Sequence, residues 1–393
     1  MTESSPSPRA FSRPIRENSP RPGRLAIPLL LTALFIAMGS PTLQAQQGTT
    51  SGEAWVTPRG VQMDPDRARM LYVSNNPADQ LIGRDLEADI QRRRAVQARF
   101  AEVAEGVVDF QMVTYRSSVG DLDIPAYLFQ PLEPRGDRGH PALVWVHGGV
   151  RGLWTANYWP FVKEAVERGY VVIAPEYRGG IGWGEEHHLA FDYGGYEVDD
   201  NVSAYDWLVG NLPHVDPDRV SMIGWSHGGY ISLLAMARPP HPFNSAVAIV
   251  PVSNLIFRLS YKGPGYQHHF ATGERLQGLP FERRAEYVHR SPVYQVDYID
   301  VPVLVHIADN DQDVDFEEAE MLVHALQVKK PDLAETRIYR DPPGGHSFDR
   351  QVDMETLTPR WTPEMRDSWN RIWAFLEWNL RPYEDGNGNP VDG

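Results

Sequence analysis

The residues with the most definite chemistry lie in one short run, Gly224-Trp225-Ser226-His227-Gly228-Gly229. This is G-x-S-x-G, the pattern of a nucleophile elbow, in which a sharp turn between a strand and a helix lifts a serine hydroxyl clear of the backbone. Gly224 and Gly228 are required because a side chain at either would collide with neighbouring backbone. The strand is supplied by Val220-Ser221-Met222-Ile223, and the helix by Gly228–Ala237, which Pro239-Pro240 ends. A free hydroxyl is a weak nucleophile, so Ser226 needs a base, and the base needs a group that orients it. The chemistry that follows is attack on an acyl carbon.

With this elbow the acid and then the histidine follow the serine in chain order. His346 lies in Asp341-Pro342-Pro343-Gly344-Gly345-His346-Ser347-Phe348, a loop by its composition and the place for a catalytic base. His268, His269 and His289 precede the acid-bearing strand, His306 sits inside an apolar strand, and His324 falls in a helix. The acid must come from Asp309-Asn310-Asp311-Gln312-Asp313-Val314-Asp315, the loop after the strand Val301–Ala308. Asp311 is the choice, Asp309 the main competitor, and Asp313 the weaker one. The same carboxylates, with Glu317 and Glu320, also fall at the spacing of a calcium loop, but Val314 takes the position that demands glycine. A looser calcium site there, or at Asp385-Gly386-Asn387-Gly388-Asn389, is the weaker alternative. No metal and no organic cofactor is expected. The oxyanion needs two backbone N–H donors. His227 supplies one, and Gly148 or Gly149, in the loop after the strand Ala142–Val146, supplies the other.

The elements that must position these groups are legible from periodicity. Residues 79–105 have apolar positions at helical spacing. From Val107 the period becomes two, and an antiparallel pair turns at Gly120-Asp121. Apolar strands then alternate with helices: Val171–Ala174, a helix from near Glu197, Ala246–Val250, Ile338-Tyr339 and a last helix carrying Trp369, Ile372, Trp373, Leu376 and Leu380. Gly169 stands where a helix would end. The pattern is α/β, a mostly parallel sheet with helices on both faces.

The chain has 393 residues, no cysteine and a formal net charge of −15. Thiolate nucleophiles, disulfides and cysteine-held metals are excluded, and the acidic balance argues against nucleic acid. Arg9, Arg13, Arg16, Arg21 and Arg24 precede 14 uncharged residues, Leu25 to Met38, and small residues end at Ala45. This is the layout of a signal peptide; a spanning helix needs about 20 apolar residues, so stable membrane insertion is not expected. The expected organisation is a signal peptide at 1–45 cleaved near Ala45, an N-terminal extension at 46–106, a catalytic domain at 107–382 and a flexible tail at 383–393, in an exported, periplasmic or secreted protein.

Several segments together resemble the prolyl oligopeptidase family of serine peptidases. Tyr170-Val171-Val172-Ile173-Ala174-Pro175-Glu176-Tyr177-Arg178-Gly179-Gly180 with Gly182-Trp183-Gly184 is similar to one stretch of these enzymes, and Tyr193-Gly194-Gly195 through Asp199-Asp200 to the next. Asp216-Pro217-Asp218-Arg219-Val220 before the elbow is the strongest likeness. Asp311 with Val314, and Gly345-His346, match the family's acid and base positions. The family usually has tyrosine where this chain has His227, which leaves the backbone donor intact. The resemblance implies an α/β-hydrolase fold, a Ser226-Asp311-His346 triad and hydrolysis of short peptides or aminoacyl amides. Many members carry a β-propeller, and residues 46–106 show no blade-like repeat. Carboxylester hydrolysis by the same machinery is the alternative, followed by a catalytically idle binding protein. The substrate is a small peptide or ester, and no oligomeric state is implied. Phe257–Arg290 is expected to cap the site, with Tyr261, Tyr266 and His268, beside Trp225 and Tyr177, as pocket residues. Arg178 is expected to be an ion-pair partner rather than a substrate clamp.

Overall fold

The computed structural model describes residues 85–391, apart from 264–265, 268–269 and 271–275, together with a short antiparallel pair, Trp55–Val56 and Gln62–Met63. The expected signal peptide, residues 79–84 and His268 lie outside the described residues.

One sheet of eight strands organises the chain: β1 (Asp109–Arg116), β2 (Asp123–Gln130), β3 (His140–Val146), β4 (Val171–Pro175), β5 (Val215–Trp225), β6 (Ser245–Ile249), β7 (Val303–Ala308) and β8 (Ala334–Tyr339). Their spatial order is β8-β7-β6-β5-β3-β4-β2-β1. The strands β3 to β8 run parallel, while β2 is antiparallel to both β1 and β4. Strands β3, β4, β6 and β7 are buried along their whole length, the mark of a parallel sheet covered on both faces.

Six helices do the covering. α3 (Tyr196–Asn211), α4 (His227–Met236) and α5 (Phe316–Lys329) pack on one face. α1 (Leu86–Ala104), α2 (Trp159–Glu167) and α6 (Pro363–Leu380) pack on the other. Gly169 takes the left-handed conformation (φ 94°) just past α2, and its N–H returns to Val166, so the expected C-terminal glycine is in place. On the second face Phe161 stacks on Trp369 at 4.1 Å.

α1, assigned to the extension, shares the core of the sheet. Phe100 is fully buried, with ring centroids 5.4 Å from both Tyr127 and Phe129, a burial that contributes about 1.5–3 kcal/mol. Its start is fixed by Asp85, whose carboxylate accepts the Ala88 N–H at 3.0 Å. Local hydrogen bonds close residues 383–391: Asp385 accepts from the N–H groups of Asn387 and Asn389, Val391 bonds back to Tyr383, and Arg219 donates to the carbonyl of Glu384. Polar side chains that close local turns supply the order that apolar burial does not.

Candidate active site

Ser226 stands between the end of β5 and the start of α4 with φ 52° and ψ −114°. For a residue with a Cβ this is strained by about 1–3 kcal/mol, and the surroundings hold it there. Its N–H donates to Ile249 in β6 at 2.8 Å, and its carbonyl accepts from Tyr230 at 2.9 Å. A Cβ on Gly224 would strike the Gly228 backbone, and one on Gly228 would strike the carbonyl of Val146. Both glycines are therefore fixed by close approach of backbone.

Of the three aspartates weighed, it is Asp311 that holds His346. Its Oδ2 lies 2.7 Å from His346 Nδ1, while Oδ1 accepts the N–H groups of Asp313 (2.8 Å) and Val314 (2.9 Å). Asp309 is turned away and accepts from the Asp341 N–H at 2.6 Å. Asp313 Oδ2 is 4.0 Å from the other histidine nitrogen, Nε2. Asp315 caps α5 by accepting from Glu317, so the carboxylates of the calcium-like pattern point to separate tasks. Burial alone would lower the His346 pKa. The charge of Asp311 and its hydrogen bond outweigh burial, and the net direction is upward. Among the described residues Ser226 Oγ and His346 Nε2 are not yet hydrogen-bonded, as is common before substrate tightens such a site.

Two other buried histidines, His147 and His306, are unsuited to carry protons. Burial holds His147 and His306 down at about 3. His306 is bonded to Ser368 at 2.9 Å, as expected of a core residue. Arg178 is clasped by Asp200 at 2.6 Å, the ion pair that the sequence suggested.

For the second oxyanion donor the geometry separates two glycines. The Gly148 N–H donates to the Tyr158 hydroxyl at 3.3 Å. Gly149, at φ 86°, has its carbonyl held by Tyr177 Oη (3.3 Å) and the Gly152 N–H (3.2 Å). At the other side His227 opens α4, so its N–H is one of the first-turn donors that no helical carbonyl uses. The His227 ring is bonded to Glu197 at 2.7 Å, and both are buried.

The aromatic pocket residues are placed differently from expectation. Trp225 is wholly buried, 5.6 Å from the rings of both Trp145 and Trp369, and its indole N–H donates to Asp349. As the last residue of β5, Trp225 points into the core on the face covered by α6. Tyr177 is also buried; it stacks on His147 at 4.3 Å and its hydroxyl donates to the carbonyls of His147 and Gly149. It braces the glycine loop instead of lining a pocket. Tyr261 and Tyr266 turn their hydroxyls to the buried Arg258–Glu318 pair, the first by donating to Glu318, the second by accepting from Arg258 at 2.9 Å. Asp349, Tyr158 and Glu197 are the supporting residues that sequence reading missed. Only for Asp349 was there a signal: a buried tryptophan N–H needs an acceptor.

With this geometry in hand, the chain was compared with known proteins. Residues 158–361 match the prolyl oligopeptidase family (Peptidase_S9). The chain belongs to this family of serine peptidases. The peptidase YuxL of Bacillus subtilis, named as uncharacterized, is 29% identical over 229 residues, covering 58% of this chain and 34% of the relative. Dipeptidyl aminopeptidase BIII of Pseudoxanthomonas mexicana is 28% identical over 239 residues, with 60% and 34% covered. The chain thus spans about a third of the length of these curated relatives. Among solved structures, the acylaminoacyl peptidase of Pyrococcus horikoshii superposes with a TM-score of 0.57 at 19% identity, covering 73% of this chain and 44% of that one. At that identity the likeness is one of fold, and it agrees with the α/β-hydrolase arrangement of the sheet. By membership the chain is a serine hydrolase.

Proposed function

We propose that this protein is an exported serine peptidase that cleaves short peptides or aminoacyl amides through an acyl-enzyme. The observation that carries the reading is a strained Ser226 at an elbow in a chain whose His346 is held by Asp311. Ser226 Oγ attacks the acyl carbon while His346 Nε2 takes its proton, and Asp311 steadies the imidazolium through Nδ1–H. The oxyanion is received by the N–H groups of His227 and Gly149, since that of Gly148 is given to Tyr158. His346 returns the proton to the leaving amine. Water, deprotonated by the same histidine, then releases the acyl group. The names of the relatives, an aminopeptidase and an acylaminoacyl peptidase, favour amide over ester substrates.

A fluorophosphonate probe tests the nucleophile. Labelling of folded wild type, lost in Ser226→Ala, is expected; an unlabelled wild type overturns the enzyme reading. A panel of aminoacyl and peptidyl amides beside short acyl esters tests the substrate. Amide turnover near zero with good ester turnover replaces peptidase by carboxylesterase.

A further inference from the structure

Arg350 follows His346 by four residues on the same loop, its N–H bonded to Ser347 at 3.2 Å. Its Nη1 donates to the Tyr158 hydroxyl at 3.1 Å, the group that also receives the Gly148 N–H. A Cβ on Gly148 would lie 3.6 Å from Arg350 Nη1 and 3.5 Å from the Ser226 Cβ. The guanidinium and the nucleophile therefore flank the same small volume beside the oxyanion loop. Its charge is felt by His346, Asp313 and Asp349.

Three buried arginines elsewhere in the fold are paired. Arg178 holds Asp200, Arg258 holds Glu318, and Arg290 holds Asp192 and Glu286. Arg350 is partly buried, yet among the described residues no carboxylate lies within ion-pair distance of it. In a chain with 52 acidic residues, an arginine of the cleft left without one is available to a charge that arrives with the substrate. A guanidinium offers a planar fork of donors that fits a carboxylate with two parallel hydrogen bonds.

The side of the cleft identifies the carboxylate. His346 hands its proton to the leaving amine, so the leaving group lies against the histidine loop, where Arg350 also sits. In a leaving amino acid, only one carbon separates that nitrogen from the α-carboxylate. We propose that Arg350 is a specificity-determining residue that receives the free α-carboxylate of the leaving amino acid, making the enzyme selective for peptides cut at their C-terminal residue. This rests on the reading of Ser226 and His346 as nucleophile and base.

The test compares acetyl-phenylalanyl-glycine with its C-terminal amide. Beside them run the ester isosteres, acetyl-phenylalanyl-glycolate and its glycolamide, in which oxygen replaces the scissile N–H. Wild type is expected to favour each free acid by about 10–100-fold in kcat/KM, mostly through KM. Arg350→Gln should bring the acid-to-amide ratio to about one, and Arg350→Lys should keep part of the preference. Tyr158→Phe, which removes the hydroxyl and keeps the guanidinium, should retain it. Equal turnover of acid and amide by wild type overturns the proposal without any variant. So does a loss in Arg350→Gln that falls alike on acid and amide, because that is the signature of a residue bracing Gly148 through Tyr158. A preference seen with the ester pair while both peptides stay uncut supports Arg350 and overturns the peptidase reading instead. No turnover of any substrate, with no labelling of Ser226, overturns both.

Discussion

Two histidine–carboxylate pairs flank the nucleophile, His346–Asp311 and His227–Glu197, each at 2.7 Å. Their chemistry is the same and their settings are opposite. His346 sits on a one-turn helix, Gly345–Ser347, behind Gly344 and Gly345 in left-handed conformations, and keeps 14% of its side-chain surface open. His227 starts α4 with 1% open, its ring 4.5 Å from Tyr193 and 5.2 Å from Tyr230. The second nitrogen of His346, Nε2, lies 4.0 Å from the exposed Asp313 carboxylate. That of His227, Nδ1, is buried without a partner among the described residues. A carboxylate at a histidine is therefore no mark of a base; the backbone that carries the ring and the access of its second nitrogen decide. The Glu197 pair serves structure instead: Glu197 also accepts the Gly194 N–H at 2.5 Å and so ties the loop before α3 to the helix behind the nucleophile.

This contrast can be broken by exchanging charge for shape in each pair. Asp311→Asn should reduce kcat by about 10³–10⁴-fold, because the wrong tautomer of His346 is then favoured. Glu197→Gln should change kcat by less than about tenfold while lowering Tm by about 2–4 °C, the usual penalty of a weakened buried hydrogen bond. Steady-state kinetics with a thermal melt on both variants reads the two effects. Comparable kcat losses would erase the distinction.

The pH profile sharpens it further. His346 must be neutral to act, and Asp311 raises its pKa above the ordinary histidine value. Activity should thus fall on the acid side with a midpoint above that value. In Asp311→Asn the residual activity should show a lower midpoint, whereas in Glu197→Gln it should not move.

Asp349 gives a smaller, thermodynamic effect. Burial holds its carboxyl up at about 6, against the Arg350 charge and the Trp225 hydrogen bond, which pull it down. A folded-state pKa above the unfolded one means stability that is present at acid pH and lost as pH rises through about 6. Asp349→Asn cannot ionise, so on going from about pH 5 to about pH 8 it should lose less stability than wild type, by about 1.4 kcal/mol, the equivalent of the one pKa unit between pH 5 and the folded-state value. Urea melts at the two pH values measure the difference. Asp309→Asn is the smallest change, expected to leave kcat within about twofold since Asp309 bonds only Arg340 and the Asp341 N–H.

The sheet and the elbow were legible in the sequence because each rests on a local rule. Apolar runs mark doubly covered strands, and the strand, glycine-flanked serine and helix of the elbow are contiguous, with Gly224 demanded by the backbone of Gly228 within the same five residues. The acid loop was ambiguous for a physical reason. Asp309, Asp311 and Asp313 alternate along one chain segment with nothing local to rank them, and only the turn closed on Asp311 Oδ1 by the N–H groups of Asp313 and Val314 aims Oδ2 at His346. The glycine donors were equivalent until Tyr158, ten residues on, took one of them. The burial of Trp225 and Tyr177 was not legible because aromatic character does not say which face of a strand or loop a ring occupies. Trp225 and Tyr177 went to the interior, where their polar tips brace the machinery.

The left-handed Ser226 has a consequence for how the molecule can be watched. Its conformation is imposed by contacts remote in sequence: the carbonyl of Ile249, and the backbone of Val146 pressed against Gly228. Neither exists until β3, β5 and β6 lie side by side. Secondary structure can form around residue 226 with the hydroxyl still inert. The rate at which Ser226 gains reactivity toward a phosphonate during refolding is therefore a clock for the assembly of the sheet's centre, read at one atom.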